Sequence, residues 1–188
     1  MSNKLLVYLE TGAYMMFDPT IFDNLKVVLE GAVYDMDLND SVVIMGRTDR
    51  IELSSMSRSF SMTMARKEDG VAEGSFMLTA SVADLAAELL ADSKQQPGCS
   101  LELSFVFPIT DIERDCSESA SMIGEIWGAG PQLSQCIMME YGEQPRRMKS
   151  KLDVKFVKKL DEGHIDDIPS LLEHFHLCLE RLDERIIE

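Results

Sequence analysis

One segment of the chain alternates between apolar and small polar side chains with a period of two. Between positions 50 and 66, the apolar positions are Met56, Phe60, Met62 and Met64. The positions between them hold hydroxyl side chains, namely Ser55, Ser57, Ser59, Ser61 and Thr63. Because successive side chains of a strand point to opposite faces, the pattern predicts a β-strand with one buried and one solvent-facing side. A sheet covered on one side only is typically antiparallel.

The rest of the chain supplies helices and further strands. Asp18, followed by a proline, predicts a helix start, and Gly31 predicts its end. Ser81 and Asp84 have the spacing of a capping box, which predicts a second helix. Strands are predicted at 4–9, 13–17, 34–38, 41–45, 50–66, 74–80, 101–107, 134–141 and 151–156. Together, these elements predict a single α+β domain over residues 1–188, with a mostly antiparallel sheet and two or three helices.

A C-terminal helix is predicted to begin near Asp167. Its apolar residues recur at alternating steps of four and three, at Ile168, Leu172, Phe175, Leu179, Leu182 and Ile186. This spacing is typical of a coiled-coil seam. The seam predicts that the helix packs either on the sheet of its own chain or on a second chain, which would make the protein a homodimer.

The chain is strongly acidic, and its basic residues are concentrated in one segment. It carries 33 Asp and Glu residues against 18 Lys and Arg residues, a net charge of −15. The basic segment predicts a candidate interaction strip made of Arg146, Arg147, Lys149, Lys151 and Lys155. These cations either bind an anionic ligand or an acidic partner surface, or they pair with acids on adjacent strands and protect a sheet edge.

Composition also excludes several classes of partner and site. A mostly anionic surface repels nucleic acid and anionic membranes. The apolar run 5–9 is too short for a signal peptide or a membrane span. The four cysteines are far apart and form no CxxC pair, which favours reduced thiols and a cytoplasmic location. The chain has no P-loop, HExxH motif, GxSxG motif or complete dinucleotide-binding loop, so no cofactor is predicted.

Three short patterns resemble parts of metal sites. Asp35, Asp37 and Asn39 match the opening of a calcium-binding loop, but the glycine and glutamate that should follow are missing. Glu173-x-x-His176 has the spacing used by di-iron bundles, but it occurs once. His174 and Cys178 share a helix edge, but a structural zinc site needs four nitrogen or sulfur ligands and this pair offers two. The sequence therefore predicts no metal site.

Residues 110–131 predict a connecting loop that is mobile or functional. The segment is polar, acidic and rich in serine, and it ends in three glycines and a proline. If the protein is a small cytoplasmic enzyme, scattered acids and a histidine must converge on a site near this loop. The residues that this interpretation selects are Glu113, Asp115, Cys116 and His164.

The charge imbalance favours a non-enzymatic protein that binds a basic protein partner or client. The predicted order of helix, three strands, helix, two strands and helix resembles that of the small acidic dimeric chaperones of bacterial secretion systems. That resemblance implies a chaperone-like role, and a toxin-neutralising immunity protein fits the charge equally well. The small enzyme described above and a structural or assembly component are the alternatives.

Overall fold

The computed structural model describes residues 20–90, 96–142 and 147–187. In this part of the chain, six strands form one antiparallel sheet in the order β1-β2-β3-β4-β6-β5. The strands are β1 (Val42–Glu52), β2 (Ser57–Arg66), β3 (Glu73–Ala80), β4 (Ser100–Ile109), β5 (Gln132–Met139) and β6 (Met148–Lys155). The helices are α1 (Thr20–Leu38), α2 (Val82–Leu90), α3 (Ile112–Trp127) and α4 (Ile168–Ile187), with a 3-10 helix at Glu162–Asp167. The strands predicted at 4–9 and 13–17 lie outside the described residues.

The sheet has one buried face and one face without a helical cover in the described part of the chain. On β2, Phe60, Met62 and Met64 are fully buried, whereas the hydroxyl residues between them stay partly exposed. The buried face packs under α1 and α4, and ion pairs join it to them, including Lys26 with Asp49. The α+β class and the one-sided antiparallel sheet predicted from the period-two pattern are therefore confirmed.

The C-terminal helix packs on the sheet of its own chain. In α4, the seam residues from Ile168 to Leu182 are at most 3% exposed. The ring of Phe175 lies 5.1 Å from that of Phe105 on β4, measured between centroids. The prediction that this helix packs on the sheet of its own chain is therefore confirmed. A homodimer through this helix stays a prediction, and it would have to use the face of the helix opposite the seam.

A buried carboxylate ties α4 to the turn between β2 and β3. Asp183 is 1% exposed and accepts hydrogen bonds from the backbone N–H groups of Val71 (2.9 Å) and Ala72 (2.8 Å). The guanidinium of Arg66, at the end of β2, lies 3.5 Å from the other carboxylate oxygen. The two backbone donors satisfy Oδ1, whereas Oδ2 has the ion pair with Arg66 and no hydrogen bond among the described residues. The arrangement fixes the end of α4 relative to the sheet.

The first helix is longer than the sequence predicted. It continues past Gly31 to Leu38, so the strand predicted at 34–38 and the helix end predicted at Gly31 are wrong. Val33 is fully buried and Met36 packs against the core, which continues the helical spacing of the preceding apolar residues. This packing outweighs the local alternation of apolar and acidic residues. The helix ends at the turn before β1, where Asp40 has a φ of 67°.

The strand predicted over 50–66 is divided between two strands of a hairpin. β1 ends at Glu52 and β2 begins at Ser57, and Met56 lies in the turn with a φ of 49°. Met56 therefore does not belong to the buried face. Arg58 does face the helices, where its guanidinium stacks 4.8 Å from the ring centroid of Phe22 and pairs with Asp23 at 2.9 Å. A charged residue is accommodated on the buried face because the helix provides its partner.

The loop predicted at 110–131 is mostly helical. α3 begins after Asp111, whose side chain accepts a hydrogen bond from the backbone N–H of Arg114 at 2.9 Å. Ser119 and Ile123 are buried, so the helix packs even though its sequence is polar. The described part of the chain thus has four α-helices instead of two or three. Its order of elements also differs from the one on which the resemblance to secretion chaperones rests. The single-domain organisation stays a prediction.

Candidate functional site

A groove runs between α1 and α4 on the helical side of the molecule. Its volume is 570 Å³. Both helices contribute positions spaced three or four residues apart, so each presents one face along the groove. The apolar walls come from Ala32 and Met36 on α1 and from Leu172 and Leu177 on α4.

The rim of this groove is acidic. Asp35, Glu173 and Glu180 line it, and none of the three has an ion-pair partner among the described residues. Within residues 20–90, 96–142 and 147–187, neither a lysine nor an arginine lines it. Asp166 and Asp167, exposed in the 3-10 helix just before α4, add negative charge at one end. The groove therefore combines an apolar interior with an uncompensated anionic edge.

His176 also lines the groove. It is half-buried, and its Nε2 atom lies 3.4 Å from the backbone carbonyl oxygen of Ser41. A carbonyl can only accept a hydrogen bond, so Nε2 acts as the donor in this contact. The contact links α4 to the segment between α1 and β1 and helps to fix the width of the groove.

Other depressions of the described surface have mixed charge. One near the end of β4 is lined by Arg114 and Arg185 together with a carboxylate. A second, at the end of β5, contains Arg147 and Lys149 beside a glutamate. A third, on the uncovered face of the sheet, contains Lys151 beside two carboxylates. The groove between α1 and α4 differs from these three because carboxylates, without lysine or arginine, line it among the described residues.

The lysines of the candidate interaction strip lie on the uncovered face of the sheet. Lys149, Lys151 and Lys155 occupy alternate positions of β6. Lys149 lies 4.0 Å from Glu73, Lys151 lies 3.0 Å from Asp153, and Lys155 lies 2.5 Å from Glu102. Each lysine thus has a nearby carboxylate, and the Glu102 contact raises the pKa of Lys155 through a side-chain hydrogen bond. Arg147 is exposed, and Arg146 lies outside the described residues. The binding role of the strip stays a prediction.

The residues selected for an enzyme do not meet in one place. Burial alone would raise the pKa of Asp115, but hydrogen bonds from the N–H groups of Asp111 and Thr110 and from Arg114 lower it to about 2. Asp115 therefore serves to hold the start of α3. It shares a depression with Arg185, near the end of α4.

His164 lies before the other end of α4, in the 3-10 helix. Its ring nitrogen Nδ1 contacts the side chain of Asp161 at 2.8 Å, as part of a capping box. From Ile168 to Arg185 the helix rises roughly 25 Å at 1.5 Å per residue, which separates His164 from Asp115 by most of the helix. Cys116 and Glu113 lie beside Asp115 on α3, and the Cys116 sulfur is 3.9 Å from the hydroxyl of Ser150.

The three metal-like patterns form no metal site in the part of the chain that the structure describes. There, no group of three or more His, Cys, Asp or Glu residues is arranged to hold an ion. The Cys178 thiol is fully buried beside Trp127, whose indole Nε1–H donates to the sulfur at 3.2 Å. Burial raises the pKa of Cys178 to about 12, which keeps the thiol protonated and unsuited to metal binding.

Two further findings bear on function. Among residues 20–90, 96–142 and 147–187, no helix combines the length and the apolar content needed to cross a bilayer. In comparisons with known proteins, no protein-family model and no curated protein matches the chain.

The groove itself was not predicted, although several of its residues were noted separately. Asp35 and Asn39 appeared in the calcium-loop pattern, and Glu173 and His176 in the di-iron pattern. They come together because α1 and α4 pack side by side. The available signal was the i, i+4 spacing of Asp35 and Asn39, which places both on one face once α1 extends to Leu38.

Proposed function

We propose that the protein is a non-enzymatic interaction protein that receives a basic segment of a partner or client in the groove between α1 and α4. The observation that carries the proposal is the combination of apolar walls with three carboxylates, Asp35, Glu173 and Glu180, that have no ion-pair partner in the described part of the chain. Such a surface suits a partner that is itself apolar on one side and cationic on the other. A chaperone-like or immunity-like role is the biological form of this proposal.

The groove has dimensions that suit an amphipathic helix. Its α4 wall extends from Pro169 to Glu180. The helix rises roughly 16 Å between these two residues, which matches about three turns of a bound helix. Helices bind such grooves through apolar residues spaced three or four apart, and here Met36 and Leu177 provide the apolar contacts. Lysine or arginine residues flanking that apolar stripe would meet the acidic rim.

The net charge of −15 adds a kinetic argument for this function. A strongly anionic protein attracts a cationic partner over a distance set by ionic screening, which raises the association rate at low salt. The lysines on β6 already lie near carboxylates of the sheet and do not compensate the groove. The binding should therefore be fast and should weaken as salt is added.

The test uses a fluorescent synthetic peptide whose helical form has leucines on one face and lysines on the other. Binding to the full-length chain is measured by fluorescence anisotropy at low and at high salt. The groove variant combines Asp35→Asn, Glu173→Gln and Glu180→Gln. We expect its affinity to fall at least about tenfold, which corresponds to about 1.4 kcal/mol.

The matched control combines Glu68→Gln, Glu113→Gln and Glu125→Gln, three exposed acids outside the groove. It changes the net charge by the same amount, so its affinity should stay within about twofold of the wild type if the rim acts locally. An equal loss in both variants would show that only the overall charge matters. Absence of peptide binding to the wild type at low salt would remove the proposal.

A further inference from the structure

The two edges of the sheet differ in how well they are protected against pairing with a further strand. β5 is one edge strand, and within the described residues its outer side has no neighbouring strand. None of its eight residues is charged, and it lies in the longest run of the chain without a charged residue, 126–139. Leu133, Met138 and Met139 on this strand are between 37% and 57% exposed. An uncharged apolar edge readily pairs with another strand.

β1, at the opposite edge, carries the features that normally prevent such pairing. Its register with β2 shifts between Ile44 and Gly46, which is the mark of a β-bulge. Beyond the bulge it carries four charged residues, Arg47, Asp49, Arg50 and Glu52. Bulges and charged side chains both discourage a further strand from adding to an edge. β1 therefore has two features that discourage pairing at its edge, and β5 has neither a bulge nor a charged residue.

We propose that β5 pairs with β5 of a second copy of this chain, so that two sheets join into one. Two copies that each carry a net charge of −15 repel one another over most of their surfaces. No carboxylate belongs to β5, so that repulsion is weak along its edge. An antiparallel pair of identical strands is also self-complementary about a twofold axis, as homodimer interfaces require. The proposal does not depend on the groove function.

The fold restricts how the two strands align. Residues directly opposite one another in an antiparallel pair lie on the same face of the sheet. Leu133 and Met139 pair with Val154 and Met148 of β6, on the helical face, whereas Cys136 pairs with Lys151 on the uncovered face. Any axis through a residue of β5 meets this condition, and we place it at Cys136, next to the middle of the strand. This axis puts Leu133 opposite the Met139 of the second copy and the two Cys136 side chains opposite each other. Cβ atoms of opposed residues are about 4.5–5.5 Å apart, so the two thiols come within cross-linking distance.

The first measurement is the molecular mass of the full-length wild type by sedimentation equilibrium. We expect 42.2 kDa, twice the chain mass of 21.1 kDa, with a decrease towards 21.1 kDa on dilution. Cys136→Lys places like charges opposite each other across the axis and should yield the monomer. The matched control is Val43→Lys, which adds the same charge to an exposed position of β1 and should leave the dimer intact.

The second measurement is cross-linking with a short bis-maleimide, which does not depend on how Cys136→Lys folds. The wild type should give a covalent dimer that disappears in Cys136→Ser. The double variant Cys136→Ser, Val43→Cys moves the thiol to β1 at the other edge, and it should not restore the covalent dimer. A wild type of 21.1 kDa at every concentration would overturn the proposal. So would a dimer in which Cys136 does not cross-link, because the copies would then meet elsewhere.

Discussion

Replacement of Asp183 by alanine should destabilise the protein strongly. The carboxylate accepts two backbone hydrogen bonds, from Val71 at 2.9 Å and Ala72 at 2.8 Å. Hydrogen bonds to a charged group contribute about 1.5–3 kcal/mol each, and removing the acceptor leaves the buried N–H of Ala72 without a partner. Because Arg66 is 25% exposed at its side chain and can be rehydrated, its lost ion pair adds little. We expect Asp183→Ala to lower the free energy of unfolding by about 3–4 kcal/mol.

Urea denaturation measures this loss, with the fluorescence of Trp127 and far-ultraviolet circular dichroism as two signals. Trp127 is the single tryptophan of the chain, and it lies between Phe156 and His174, so its signal reports on the packing of α3 and α4. Glu184→Ala is the matched control, since Glu184 is 58% exposed at its side chain and its ion pair among the described residues is with the exposed Arg181. It should change stability by less than about 0.5 kcal/mol. A loss below about 1 kcal/mol for Asp183→Ala would refute the reasoning.

Three further predictions follow from the packing and the ionisation of the chain. Gly74→Ala should lower the free energy of unfolding by about 1–3 kcal/mol, because the new Cβ would lie 2.5 Å from the buried ring of Phe175. Gly31→Ala should raise it by about 0.5–1 kcal/mol, because a Cβ there meets no described atom within 4 Å. Thermal unfolding measures both changes. Asp115→Asn should lose about 1 kcal/mol at pH 7, because solvent screens part of the interaction of this carboxylate with its donors. Since the lowered pKa means that the charged form stabilises the fold, the difference should shrink as pH falls from about 4 to 2 in urea titrations. Burial raises the pKa of Cys99 and of Cys178 to about 12, so both thiols should react with maleimide only as fast as the protein unfolds. Mass spectrometry of labelled peptides measures the reaction, and fast labelling of the native protein would contradict their burial.

Patterns that involve neighbouring residues predicted much of the fold. The alternation in β2 predicted a sheet with one buried face, and the capping box at Ser81 and Asp84 formed as expected, with the Ser81 N–H 3.0 Å from the Asp84 carboxylate. The start of the C-terminal helix and its apolar seam were also predicted, because the seam carries only large apolar residues. In each case the local pattern and the tertiary packing favour the same structure.

The errors arise where small or acidic residues carry the pattern. In α3, the positions that face the core include Ser119, which is fully buried, and Cys116, so its helical period is invisible to a search for large apolar residues. In α1, Asp35 and Asp37 alternate with apolar residues and imitate a strand. The groove was beyond prediction for a different reason. Asp35 and Glu173 are far apart in the sequence, and only the packing of α1 on α4 brings them to one rim.

The placement of α1 and α4 on the same side of the sheet has a consequence for assembly. A twofold axis through the β5 edge stands perpendicular to the sheet, so it keeps the helices of both copies on one side. The two acidic grooves would then open in the same direction, as a pair of parallel receptors. A client with two cationic helices would bind both at once, and the second contact would benefit from a high effective concentration. The uncovered sheet would face away from that client and remain hydrated.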